Sequence, residues 1–153
     1  SSTEQQNRSL WQYRERITES ITHRTPYKND ISLRVSQIPA FLSETQGLLS
    51  AIYPDFEIVW FGHVGDGNFH AQLLIHPDTR EEDLKQCGEI NHRLVERAIS
   101  MDGTCTGEHG VGQGKIGYLK SEHGEAFEVM RTLKQAFDPE NIMNPGKILE
   151  LTK

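Results

Sequence analysis

Only two of the 153 residues are cysteine, Cys87 and Cys105. That is too few for a disulfide scaffold, and the pair lacks metal-ligand spacing. No apolar run approaches the ~20 residues of a membrane span, and no charged-then-apolar leader opens the chain. Lysine and arginine nowhere form a run, and the formal charge is −6, which argues against a phosphate-tracking surface and a nucleic-acid partner. Repeats and low-complexity segments are lacking too. What remains is a single globular domain over residues 1–153, long enough for one core and short for two. The expected setting is a reducing compartment: the cytoplasm, or the mitochondrion in a eukaryote.

The most informative stretch is Phe61-Gly62-His63-Val64-Gly65-Asp66-Gly67-Asn68-Phe69-His70-Ala71-Gln72. Ile58 to Phe61 and Phe69 to Ile75 read as strands, and Asp66-Gly67 between them is a strong hairpin signal. A two-residue turn there pairs His63 directly with His70, with β-carbons about 4.5–5.5 Å apart. Two imidazoles at that separation can share a cation, since zinc–nitrogen bonds are about 2.0–2.1 Å. Alternatively, each histidine fills a polar gap or faces solvent.

Residues 3–24 read as a helix with Leu10, Arg14, Ile17 and Ile21 on one stripe and Thr18 beside Arg14. An arginine on that side either buries its stem beneath a surface ion pair or clamps a carboxylate with its planar fork. Thr25-Pro26 ends the helix. Tyr27 to Val35 follows as a strand with Lys28 at its start, and Ser36 is placed to cap a helix carrying Phe41, Thr45 and Leu49. After the hairpin, Thr79 and Glu82 form a capping box for a helix that buries Cys87, Ile90, Leu94, Val95 and Ala98. Ser121 is placed to cap a last amphipathic helix with Phe127, Met130, Leu133 and Phe137 on one stripe. Asn144-Pro145-Gly146-Lys147 reads as a turn.

Between the last two helices, Gly103 to Lys115 holds five glycines around Glu108-His109, which suits a backbone that turns sharply or approaches a ligand closely. It is not a Walker A loop, and within this span the dinucleotide fingerprint Gly-x-Gly-x-x-Gly is absent. Glu108 can complete a two-His, one-carboxylate metal site with His63 and His70, leaving His109 as a general base. The other reading is a flexible loop with incidental charges.

Three segments together resemble a known family. Gly62-His63-Val64-Gly65-Asp66-Gly67-Asn68-Phe69-His70, Gly103-Thr104-Cys105-Thr106-Gly107-Glu108-His109-Gly110 and Asp138-Pro139-Glu140-Asn141-Ile142-Met143-Asn144-Pro145-Gly146-Lys147 are similar to the carboxy-terminal domain of FAD-linked oxidases. These are the 2-hydroxy acid dehydrogenases of the vanillyl-alcohol oxidase superfamily, acting on D-2-hydroxyglutarate, D-lactate or glycolate. The resemblance runs from about Leu10 to Leu149.

It implies an α+β fold, ferredoxin-like, with an antiparallel sheet and helices packed on one side. It implies a divalent metal, usually zinc, on His63, His70 and Glu108, with His109 taking the hydroxyl proton as hydride passes to FAD. Arg14, Thr18 and Lys28 become carboxylate ligands in segments that resemble the hydroxyglutarate enzymes, and Asn144 lies in a turn that approaches the flavin. Two residues depart from that pattern. Gln72 stands where those enzymes carry Asn, one methylene shorter. Arg34 replaces a usual Pro, and either adds charge near the pocket or decorates an edge.

The family binds FAD mainly through a separate amino-terminal domain of the same chain, and no such segment is present here. The expectation is therefore a truncated copy of the substrate domain, inactive alone, with exposed apolar surface that favours self-association. The competing classes are a metal-dependent hydrolase and a non-catalytic metal-binding module.

Overall fold

The computed structural model describes residues 3–54, 56–75, 78 and 81–149. Thr3 caps α1 (Glu4–Glu15) by accepting the Gln6 amide, and α2 (Ile17–Thr22) follows. The single helix expected over 3–24 is thus broken at Arg16, which leaves helical geometry at ψ 2°. Nor does its apolar stripe reach the core. Neither helix has a buried residue, and Arg14, Ile17 and Thr18 line a cavity instead.

Three strands form an antiparallel sheet in the order β1 (Ile31–Ser32), β3 (Asn68–Leu74), β2 (Glu57–His63). The strand expected over Tyr27–Val35 shrinks to β1, because Val35–Gln37 coils into a single 3-10 turn that runs into α3 (Ile38–Ile52). Ser36 therefore caps nothing: it sits inside that turn, Gln37 is the N-cap, and Pro39 occupies the first turn of the helix, where its fixed φ fits. The helix α4 (Glu81–Ser100) buries the stripe expected of it, Cys87, Ile90, Leu94, Val95 and Ala98. Thr79 of the expected capping box lies outside the described residues.

Phe69, Ala71 and Leu73 point from β3 into the core shared with α3 and α4. Phe41 of α3 meets the edges of Trp60 and Phe69 at centroid distances of 6.1 and 5.4 Å. The two cysteines, Cys87 and Cys105, are fully buried in this core. Burial, aided by Asp83 for Cys87 and by Glu122 for Cys105, pushes their thiols up to about 11 and about 12.

The succession β1-α3-β2-β3-α4 is five-sixths of a ferredoxin-like βαββαβ unit. A fourth strand belongs at the free edge of β1. There the chain makes one antiparallel bridge, Ser32 with Thr104, their amides and carbonyls paired at 3.3 and 2.9 Å. The post-α4 segment thus takes the expected place without extending into a strand, and becomes the glycine-rich loop.

That loop ends in α5 (Ile116–His123), and α6 (Ala126–Phe137) closes the described fold. Ser121 falls inside α5, where its hydroxyl donates to the Tyr118 carbonyl. The last helix consequently starts at Ala126, after α5 has ended at Gly124. Along α6 only the stem of the expected stripe is covered: Phe127 packs on the core, while Leu133 and Phe137 are exposed.

The hairpin corrects an expectation that matters to the site. Asp66-Gly67 is not a two-residue type I′ turn, since positive φ occurs at Gly67 (77°) but not at Asp66. Val64–Asp66 form a 3-10 turn ended by Gly67. A tertiary contact fixes this choice. The Leu33 amide donates to the Gly67 carbonyl at 3.0 Å, and a β-carbon on Gly67 would lie 2.0 Å from the Leu33 carbonyl oxygen. The observed pairs are His63 with Asn68 and Phe61 with His70, so the two histidines are diagonal neighbours rather than direct partners. They still share a face of the sheet, because the register has moved by two residues and not by one.

Candidate metal and hydroxy-acid site

Along β3, side chains alternate between core and site. Asn68, His70 and Gln72 occupy the face opposite Phe69, Ala71 and Leu73, and all of them are buried. His63 joins them from β2. Ahead of β1 the chain runs antiparallel to β3, with Lys28 bridged to Gln72 and Ile31 paired with Phe69. That register sets Lys28 and Asp30 on the site face. The glycine-rich loop covers it with Glu108 and His109.

Glu108 is the centre of the cluster. Its Oε1 lies 3.3 Å from His70 Nε2 and 3.5 Å from His109 Nε2, and its Oε2 lies 3.7 Å from His63 Nε2. The rings of His70 and His109 stack at a centroid distance of 5.1 Å and an angle of 17°. His70 Nδ1 stands 3.1 Å from the Asn29 carbonyl, which can only accept. Nδ1 therefore carries a proton, and Nε2 is the ring atom that faces Glu108. A carboxylate oxygen and a ring nitrogen at this distance can share either a proton or a cation.

Ligands at about 2.0–2.1 Å around a tetrahedral ion stand roughly 3.3–3.4 Å apart, close to the separations of Glu108 from His70 and His109, while His63 falls outside the group whose ligand atoms lie within 4.8 Å of one another; the donor set is of a type that can hold a divalent cation. It is wider than expected, because His109 Nε2 is closer to Glu108 than His63 Nε2 is. His63 also has a second engagement: Arg14 Nη2 lies 3.3 Å from its Nδ1. A guanidinium only donates, so Nδ1 accepts here and a neutral His63 carries its proton on Nε2. Ligation through Nε2 requires Arg14 to turn away, which frees that guanidinium for an anion.

One cavity of about 300 Å³ gathers Arg14, Thr18, Lys28, His63, His70, Gln72, Glu108 and His109, with Phe61 and Gly62 on its wall. All the residues assigned to metal, substrate or proton transfer by sequence meet there. Asn144 does not line it. Its turn is tied to the same loop at a distance, by the Ile148 amide donating to the Gly112 carbonyl at 2.8 Å, and Asn144 itself has φ 48°. Arg34 lies away from the cavity and pairs with Asp102 at 2.5 Å, an edge decoration.

Asp30 is the residue that sequence reasoning passed over. It is wholly buried, and one of its oxygens falls with one ligand atom each of His70, Glu108 and His109 inside a 4.8 Å group. Burial raises its carboxyl, but the His109 amide, the Asn68 side chain, the Glu108 amide and the Lys115 charge outweigh that. They hold it far below the usual carboxylate range. Its sequence neighbours, Asn29 and Ile31, give no signal of that burial.

The loop also needs a correction at its far end. Gly112-Gln113-Gly114-Lys115-Ile116-Gly117 does spell Gly-x-Gly-x-x-Gly once the span is carried past Lys115. No strand feeds it among the described residues, so the structural context that gives this spacing its meaning is lacking.

The model of the family described as FAD linked oxidases, C-terminal domain, matches residues 1–148. The chain belongs to this family. Among the relatives of this FAD-linked oxidase domain, the D-2-hydroxyglutarate dehydrogenase of Stutzerimonas stutzeri is 48% identical over 97% of the chain and 32% of its own length. The enzyme of the same name from Xanthomonas citri is 44% identical over 98% and 32%. A probable mitochondrial D-lactate dehydrogenase of Danio rerio is 44% identical over 83% and 25%. The chain thus spans about a third of the length of the first two relatives. No helix among its described residues is long and apolar enough to cross a membrane.

Proposed function

We propose that the full-length protein is an FAD-dependent D-2-hydroxy acid dehydrogenase, with 2-hydroxyglutarate as its favoured substrate and D-lactate or glycolate as the alternatives. This chain is its metal- and substrate-binding part, working with an FAD-binding domain of the same polypeptide in the cytoplasm or the mitochondrion. The observation that carries the reading is the single cavity in which two cations, Arg14 and Lys28, face a carboxylate ringed by imidazoles. Neither cation is paired with an acidic side chain among the described residues, and two cations suit a dicarboxylate better than lactate.

When bound, the flavin accepts hydride and a divalent cation, zinc by donor type, lowers the pKa of the substrate hydroxyl. His63, His70 and Glu108 would hold the cation. Arg14 and Lys28 take the carboxylates, with the Thr18 hydroxyl and the Gln72 amide adding hydrogen bonds, and so fix which face of the α-carbon is presented. His109 accepts the hydroxyl proton while the α-hydrogen leaves with its electron pair, and the carbinol becomes a 2-oxo acid. Asn144, in a turn tethered to the same loop, would approach the flavin from outside the cavity. The exposed apolar side of α6 favours contact with the flavin domain or with a second copy.

Flavin bleaching under anaerobic conditions, followed with a panel of 2-hydroxyglutarate, D-lactate and glycolate, tests the assignment on the full-length protein. The fastest bleaching is expected with 2-hydroxyglutarate. A faster rate with lactate would reassign the substrate, and no bleaching with any of the three would end the dehydrogenase reading. Residues 1–153 alone, given FAD, substrate and an electron acceptor, should show no turnover.

A further inference from the structure

We propose that Asp30 is the positioning residue of the site, the group that sets the Glu108–His109 peptide against His70. The proposal rests on the dehydrogenase reading only for what the peptide does, not for how it is held.

Five donors converge on the Asp30 carboxylate. The Glu108 amide lies 3.3 and 3.2 Å from its two oxygens, the His109 amide 2.9 Å, Asn68 Nδ2 2.8 Å, Thr106 Oγ1 3.2 Å and Lys115 Nζ 3.2 Å. Its own carbonyl accepts the Gly107 amide at 3.1 Å. Only an ionised, acceptor-only side chain satisfies such a ring, since any N–H placed there would face other N–H groups. The lone pairs are filled by these donors, so Asp30 is a poor cation ligand despite its nearness to the imidazoles.

Nor does it hydrogen-bond the rings. Its oxygens stand 3.9 Å from His70 Nδ1 and 4.0 Å from His109 Nδ1. It acts through the backbone.

The loop needs that help. Glu108 and His109 are exposed to about half, and glycines at 107, 110, 112 and 114 leave little side-chain packing around them. The preceding residue sets the opposite wall, because the Asn29 carbonyl orients His70. Two adjacent buried residues thus fix both halves of the site from the segment that leads into β1, and a displacement of about 1 Å in such a constellation can cost on the order of 100-fold in rate.

Amide hydrogen exchange on the wild-type full-length protein is the first test. The amides of Glu108 and His109 should exchange on the order of 100-fold more slowly than those of Gly110 and Gly112. Equal exchange would overturn the proposal. Asp30→Asn should then lower kcat on the order of 100-fold while KM for the hydroxy acid stays within about threefold, because Arg14 and Thr18 are held by other elements. A folded variant with unchanged kcat, or with the loss confined to KM, would also overturn it.

Should Asp30→Asn fail to fold, Thr106→Val removes one donor at the surface of the ring. It is expected to speed exchange of the His109 amide and to lower kcat by about tenfold or less, and wild-type exchange in that variant counts against the proposal. The exchange readout is independent of substrate. A wild-type protein that bleaches with no hydroxy acid yet protects these two amides refutes the dehydrogenase reading and supports the positioning role.

Discussion

On the proposed metal site, Glu108→Gln in the full-length protein should lose the bound cation and fall on the order of 1,000-fold in turnover, the several kcal/mol expected when a Lewis-acid site is dismantled. The size follows from where Glu108 stands. Among the described residues it is the only carboxylate within 3.7 Å of the Nε2 atoms of His63, His70 and His109 together. Glutamine keeps the shape and removes the charge, so the imidazoles would surround a neutral amide whose NH₂ can donate to a ring lone pair and occupy it. Elemental analysis after dialysis and single-turnover flavin reduction report the two losses separately. A variant that keeps full metal content and loses only rate would move Glu108 from ligand to base. Retention of both would remove it from the site altogether.

Gly107→Ala should be strongly destabilising. A β-carbon there would sit 1.9 Å from Asn68 Nδ2 and 2.5 Å from Ser32 Oγ. Asn68 Nδ2 is already engaged with Asp30 Oδ1 at 2.8 Å and with the Ile31 carbonyl at 3.2 Å, so it cannot withdraw without leaving buried acceptors unpaired. Overpacking with a broken buried hydrogen bond costs about 2–3 kcal/mol, or roughly 5–10 °C in Tm for a domain of this size. Gly114→Ala is the control. Nothing lies within 4 Å of its added β-carbon, and it should change stability by no more than about 0.5 kcal/mol. Thermal melts of the two variants side by side decide the matter, and equal melting points would mean that the loop yields at no cost.

How far the sequence foretold this site depends on parity. Reading Asp66-Gly67 as the turn pairs His63 with His70, whereas the chain pairs His63 with Asn68. The error is two residues, and side chains in a strand alternate with period two, so the histidines were assigned to the right face for a turn that does not form. What the local pattern could not reveal is the grip of Leu33 on Gly67, a contact between segments more than thirty positions apart. Helix stripes with a core to face, as in α3 and α4, were legible. The stripe at Leu10 and the tail of α6 were not, because nothing among the described residues covers these faces and periodicity cannot say what a face will meet. Asp30 was missed for a related reason: its role consists of hydrogen bonds to amides about eighty residues away, and nothing in its neighbours announces them.

The two thiols carry a practical consequence. With Cys87 and Cys105 sealed in the core and their thiols pushed up to about 11 and about 12 by burial, almost no thiolate exists at neutral pH, and maleimides find no reactive thiol in this domain. A fluorophore or spin label can therefore be placed on one introduced cysteine along the outer side of α6 without first stripping out the native pair.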